Sequence, residues 1–270
     1  MTENRRLVAD LHAHTTVSDG TMELAEVPSV ARDAGLSWVA VTDHDRIHPD
    51  LDAPVVERDG VNIIRGIELR VDAGFDRLDL LGFGVEHTEA LDDEIERLQR
   101  NRIERGRQII ERVEDRLGVD LDVEPRAGLG RPHIARAIER SDAPFDYREA
   151  FAELIGDDGP CYVPRDVTDL DRGVDLLEKA CPVVGLAHPF RYADVDAALD
   201  VARDLDAIER WYPYADGVDA DPARVDRIAD EAGLIRIGGT DAHERELGVA
   251  GLTASEFEPV RELLPPAVEG

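Results

Sequence analysis

A chain of 270 residues can form one barrel-sized domain, with or without a small insertion, around a core that needs neither disulfides nor a metal clip. Its 60 acidic residues against 31 basic ones give a formal net charge of -29, with Lys179 the single lysine, which argues against an extended nucleic-acid-binding surface. No run approaches the ~20 apolar residues of a membrane span, the amino terminus lacks a signal-peptide core, and Cys161 and Cys181 stand outside any C-x-x-C spacing, so a cytoplasmic protein is expected.

In chain order, Leu7 to Leu11 reads as a buried strand leading into His12. A stripe of Leu24, Val27, Val30, Ala31 and Ala34 predicts a helix stopped at Gly35. Val39 to Thr42 leads into Asp43 and His44, and Val61 to Ile67 leads into Glu68. Leu91, Ile95, Leu98, Ile110, Val113 and Leu117 then form a long helical stripe closed by Gly118. Val183 to Ala187 leads into His188, Pro222 to Ala232 reads as a helix stopped by Gly233, and Leu234 to Gly239 leads into Asp241 and His243. Strands alternating with helices predict a largely parallel α/β sheet, in which the strand carboxyl ends converge on one face.

The stretch from Glu89 to Gly159 breaks this rhythm, being charged, helical in pattern and without a long strand. The expected organisation is therefore a barrel in two parts, 1–88 and 160–258, separated by a helical insertion at 89–159 and followed by a tail at 259–270.

Five of the eight histidines fall at the ends of apolar runs with an acid nearby: His12 and His14 as H-x-H, His44 in TDHD, His188 in AHP and His243 in TDAHE. Positions i and i+2 of a strand share a face, so His12 and His14 can grip one ion. Asp19, Glu68 and Asp241 add oxygen donors. Several carboxylates meeting at one face repel unless cations lie between them, so two or three divalent ions are expected. Mixed imidazole and carboxylate donors suit Zn, Mn, Fe or Ni without selecting one, and Mg is a further candidate. His48 and His87 lack a partner pattern and read as surface residues, Trp38 and Trp211 as core, and Gly238-Gly239 as a tight backbone before Asp241.

The motifs DLHAHTTVSDG, AVTDHD, GIEL, GLAHPFRY and GGTDAHE, in that order, resemble those of the PHP (polymerase and histidinol phosphatase) family of metal-dependent phosphoesterases. The resemblance implies a distorted (β/α)7 TIM-like barrel and a two- or three-metal site. GLGRPHIARAIE and AIERWYP further resemble a branch containing nucleotide phosphatases for AMP or 3',5'-bisphosphonucleotides and a 5'-3' exoribonuclease, with a helical insertion in the barrel.

Carried over, the resemblance implies that His12, His14, Glu68 and Asp241 hold one metal, that Glu68 bridges to a second held with His188, and that Asp19, His44 and His243 hold a third. Where relatives usually place a histidine in H-x-L-G, this chain has Asp79 in DLLG, a charged donor that favours a harder ion or weakens the second site. Asp43 is expected to orient His44 or a neighbouring ligand. Arg191 suits a bidentate grip on phosphate. Arg131 and His133 resemble substrate contacts of the branch, against a plain helix-start reading with Pro132 in the first turn.

The expected reaction is hydrolysis of a nucleotide phosphate monoester by a metal-activated hydroxide. Arg191 would position the phosphate, and His188 or a metal-bound water would protonate the leaving group. The expected partner is a small phosphorylated nucleotide or the end of a short RNA, with no membrane. Competing readings are histidinol-phosphate phosphatase, a 5'-3' exoribonuclease and a noncatalytic metal-binding module. The charge also predicts an extreme halophile of haloarchaeal type, because molar salt shortens the Debye length to about 3 Å; an acidic protein from an ordinary cytoplasm is the alternative.

Overall fold

The computed structural model describes residues 5–270. The elements in chain order are β1 (Leu7–Ala13), α1 (Val27–Asp33), β2 (Trp38–Val41), β3 (Val55–Arg58), β4 (Val61–Asp72), β5 (Arg77–Phe83) and α2 (Glu89–Leu117). Then come α3 (Arg131–Arg140), α4 (Tyr147–Ala150), a π turn at Phe151–Ile155, β6 (Thr168–Asp169), α5 (Leu170–Ala180), β7 (Val183–Leu186) and a 3-10 turn at Pro189–Arg191. The chain ends with α6 (Val195–Ala202), β8 (Ala207–Trp211), α7 (Pro222–Ala232), β9 (Ile235–Gly238), β10 (Leu252–Thr253), α8 (Ala254–Leu263) and β11 (Val268–Glu269).

Two compact units result among the described residues, 5–92 with 168–270 and 93–167. In the first, the sheet runs β10-β1-β2-β4-β5-β7-β8-β9. It nearly closes into a barrel, because the chain after β9 returns to β1: His14 N donates to Ala242 O at 2.9 Å and Ala242 N to His12 O at 3.2 Å. The fold is a distorted TIM-like barrel.

The sequence pattern predicts parallel strands, and β1-β2-β4 and β7-β8-β9 are parallel; β5 runs antiparallel to both β4 and β7. The cause is local. Only residues 73–76 link β4 to β5, too few for a crossover helix, and Gly74 turns the chain at φ 80° with its N–H on Asp72 Oδ1.

Helix ends follow the punctuation. Asp221 caps α7 by accepting from Ala223 N, Pro222 fills the first turn, and Gly233 ends the helix in the left-handed region. The barrel core includes Leu11, Ile64, Leu81, Phe83, Val183, Ile237 and Phe257, with Trp38 against Phe257. A second cluster around Met22, Val27, Val39, Val41 and Ile63 seats α1 on the sheet.

The second unit holds most of α2 with α3 and α4, and contains no strand. Ile109, Val113, Ile134, Ile138, Leu154 and Cys161 form its own core. Among the described residues no helix is long and apolar enough to cross a membrane.

Candidate metal centre

The predicted ligands come together at strand ends in the first unit. His12 and His14 close β1, His44 follows β2, Glu68 sits within β4, His188 follows β7, and Asp241 and His243 follow β9. A bridge between His44 and Glu68, with Glu68 N donating to Asp43 O, ties the end of β2 to β4. His188 (φ 29°) and Asp241 (φ 54°) occupy the left-handed region, which a side chain with a Cβ adopts only when its surroundings impose it.

Three groups of donors have ligand atoms within 4.8 Å of one another: His14, Asp19, His44 and His243; His12, His14 and Asp241; and Glu68, Asp79 and His188. The structure thus places His14 beside the Asp19 group as well as beside His12. Glu68 links all three. Its Oε1 lies 3.3 Å from His12 Nε2 and 3.1 Å from His188 Nε2, and its Oε2 lies 3.4 Å from His14 Nε2 and 2.7 Å from His44 Nδ1.

The chemistry of this donor set fits divalent ions. His12 Nε2, His14 Nδ1, Asp19 Oδ1, Glu68 Oε2 and His188 Nδ1 are buried with no hydrogen bond among the described residues. Several lie within ion-pair distance of an opposite group, but without hydrogen-bond geometry. Unpaired buried polar atoms are costly, and this many in one place marks a ligand-binding locus.

The carboxylates also require positive charge. Burial alone would push Glu68 up, yet His44 and His12 hold it well below the usual carboxylate range, and His12 and His14 do the same for Asp241. Burial pulls His44 down, but Glu68 and Asp19 outweigh it and raise it to about 9. A divalent ion would balance these carboxylates without requiring protonated imidazoles.

The PHP domain pattern matches residues 10–156. The chain belongs to the PHP domain family. It is 29% identical over 255 residues to a phosphoribosyl 1,2-cyclic phosphate 1,2-diphosphodiesterase of Eggerthella lenta, covering 88% of this chain and 94% of that one. It is 28% identical to a 3',5'-nucleoside bisphosphate phosphatase of Chromobacterium violaceum (68% and 67% covered) and 26% identical to the 5'-3' exoribonuclease Rnm of Escherichia coli (70% and 68%). In fold it is similar to a candidate metal-dependent phosphoesterase from Bifidobacterium adolescentis, with a TM-score of 0.78 at 21% identity, covering 98% of this chain and 99% of that one. The named relatives are all hydrolases of phosphoester bonds, and this PHP protein is a phosphoester hydrolase.

Around the PHP donor set lies a shell that, Arg191 apart, drew no assignment from the sequence. Glu209, on β8, is buried with Oε1 3.2 Å from His12 Nδ1 and Oε2 accepting from His188 N at 2.7 Å. Asp10, on β1, accepts from Thr240 N, Thr240 Oγ1 and Gly248 N, fixing the loop that carries Asp241. Both are acids inside apolar runs, VADLH and AIERW, and that signal could have flagged them. Tyr212 donates to Asp241 Oδ2 at 2.8 Å, and Arg191 Nη1 lies 3.0 Å from the Tyr212 hydroxyl and 3.1 Å from Asp241 Oδ2. Half of the Arg191 side chain stays exposed.

Asp43 does not touch the His44 ring. Its carboxylate accepts from Thr15 N, Thr15 Oγ1 and Ser18 Oγ at 2.8, 2.7 and 2.6 Å, and so holds the loop between His14 and Asp19. Asp79 lies in the Glu68 and His188 group, with both oxygens also engaged by Arg70.

In the second unit, Arg131 pairs with Asp157 at 2.6 Å and packs over Phe151 and Tyr162. His133 Nδ1 accepts from Gly130 N at 3.1 Å, capping α3, with Pro132 in its first turn. His87 is exposed beside Asp92, as expected, whereas His48 is buried, its Nδ1 accepting from Asp50 N. Its neighbours in sequence gave no sign of that burial.

Proposed function

We propose that this PHP protein hydrolyses phosphate monoesters of nucleotides, of the AMP or 3',5'-bisphosphonucleotide type, using divalent ions, one held with His12, His14 and Asp241 and one with Asp19, His44 and His243. The observation that supports it most is the set of buried, unpartnered His, Asp and Glu atoms beside the half-exposed Arg191. When bound, such ions bring a water's pKa toward neutrality and neutralise charge building on phosphate oxygens.

The chain's own groups supply the rest. Arg191, steadied by Tyr212 and Asp241, grips a phosphate oxygen through its remaining N–H groups. Asp43 and Asp10 keep the Asp19 and Asp241 loops in register with β1, and Glu209 fixes the rings of His12 and the turn at His188. His188, with Nε2 on Glu68, exchanges a proton with the leaving group. Two unpaired buried thiols, Cys161 and Cys181, fit a reducing cytoplasm.

The near-complete span shared with the Eggerthella protein favours a second reading, opening of a cyclic ribosyl phosphate diester. Chromatographic product analysis together with phosphate release, on mononucleotides, 3',5'-bisphosphonucleotides, a cyclic ribosyl phosphate, histidinol phosphate and short 5'-phosphorylated RNA in molar KCl with Mn, separates these readings. Selective turnover of a nucleotide supports the proposal. Selective turnover of the cyclic diester, histidinol phosphate or RNA replaces it, and silence from folded, metal-loaded protein supports a noncatalytic module.

A further inference from the structure

Arg70 and Asp79 are direct register partners across the β4/β5 ladder, on the face that carries Glu68 two residues earlier. Asp79 is buried, and one guanidinium takes both of its oxygens: Nε donates to Oδ1 at 2.7 Å and Nη2 to Oδ2 at 2.6 Å. His188 Nε2 lies 3.6 Å from that same Oδ2 and 3.1 Å from Glu68 Oε1. The guanidinium therefore sits on the anion that would complete an ion site with Glu68 and His188.

An ion there would share one buried carboxylate with a second cation. Like charges repel strongly where water screens little, and arginine cannot relieve the repulsion by losing a proton. The other two groups differ. Asp241 also meets a guanidinium, that of Arg191, but through Oδ2 alone; Oδ1 stays with His14 at 3.0 Å. Arg70 Nη1 makes no hydrogen bond among the described residues, and a third of the side chain is exposed. It has N–H groups to give to an anion.

We infer that Arg70, clamped on Asp79, takes the place of an ion at the Glu68, Asp79 and His188 group, so that the chain holds two divalent ions and meets the substrate phosphate with Arg70. The inference rests on the metal-dependent reading above. Arg70 acts as a substrate-binding residue that also excludes an ion.

Metal per chain, measured by plasma mass spectrometry after saturation with Mn in molar KCl and gel filtration, tests it. Two ions are expected. One or three overturn the inference and leave metal dependence standing, whereas none overturns metal dependence itself. Arg70→Met combined with Asp79→His exchanges the cation and its anchor for an uncharged side chain and a neutral donor, and should raise the count to three. A folded double variant that stays at two counts against the inference. Arg70→Lys, the milder change, keeps the charge but loses the fork. It should keep two ions and raise KM for the phosphate ester about tenfold, with a smaller fall in kcat; an unchanged KM removes the phosphate contact.

Discussion

Glu209→Gln isolates what a buried carboxylate does for the metal ligands without changing the shape of the site. The wild-type carboxylate offers two acceptors: Oε1 faces His12 Nδ1 at 3.2 Å and Oε2 receives His188 N at 2.7 Å. An amide offers one acceptor and one donor. If its oxygen keeps the His188 N–H, its NH2 faces His12 Nδ1, and the ring must move its proton to Nε2, the nitrogen nearest Glu68 and Asp241. That tautomer has no lone pair left for an ion. If the amide turns over, the buried His188 N–H loses its acceptor, which costs about 1–3 kcal/mol. Loss of such an outer partner lowers metal affinity by roughly 10–100-fold, equivalent to about 1.4–2.7 kcal/mol. Because Glu209 is buried, solvent screening does not dilute the effect. Mn titration followed by electron paramagnetic resonance, with circular dichroism to check folding, reads it directly. A folded variant whose Mn affinity stays within twofold of wild type would refute this reasoning.

Gly239→Ala places a Cβ against the backbone N and Cβ of His12, with Asp10 Oδ1 also too close, so it should lose about 1–3 kcal/mol of stability in thermal melts and weaken Mn binding. Asp43→Ala removes three hydrogen bonds from the Thr15 to Ser18 loop and should lower both thermal stability and metal content, whereas an equal ion count at unchanged melting temperature would show that loop to be self-supporting. Burial pushes the Cys181 thiol up to about 12. Its reactive thiolate form is therefore scarce below that pH, and iodoacetamide at pH 8 should label Cys181 only after unfolding. The net charge of -29 predicts a melting temperature that rises between ~0.1 M and ~3 M KCl as self-repulsion is screened; a flat profile would contradict the halophilic reading.

The donors were legible because apolar runs stopping at His12, His44, His188 or Asp241 mark both the strand and its end, while Glu68, where the apolar run also stops, lies inside a strand that continues to Asp72. α7 was equally plain, since Pro222 and Gly233 bracket it and the structure starts and stops it there. What stayed hidden depended on pairing across the chain. β5 had no place among the strands expected from the sequence, and its ladder with β4 is what sets it running backwards and puts Asp79 opposite Arg70. Glu209 and Asp10 drew no role from the sequence, because the groups they serve, His12, His188 and Thr240, meet them only in the fold. Asp43 was expected to orient His44 or a neighbouring ligand, and its carboxylate instead holds Thr15 and Ser18, a pairing that only the folded chain brings together. Arg131 reads as a substrate contact by resemblance alone, and its pairing with Asp157, twenty-six residues away, is a feature of the folded second unit.

The central claim is that phosphoester hydrolysis depends on divalent ions held by His12, His14, Asp19, His44, Asp241 and His243. Its most direct test is phosphate release in molar KCl by protein stripped with a chelator, then with Mn restored, comparing wild type with His14→Ala, the donor shared by two groups. Activity that vanishes on stripping, returns with Mn in wild type, and does not return in His14→Ala is the predicted result. Turnover that survives stripping, or a His14→Ala protein restored as fully as wild type, would contradict the account.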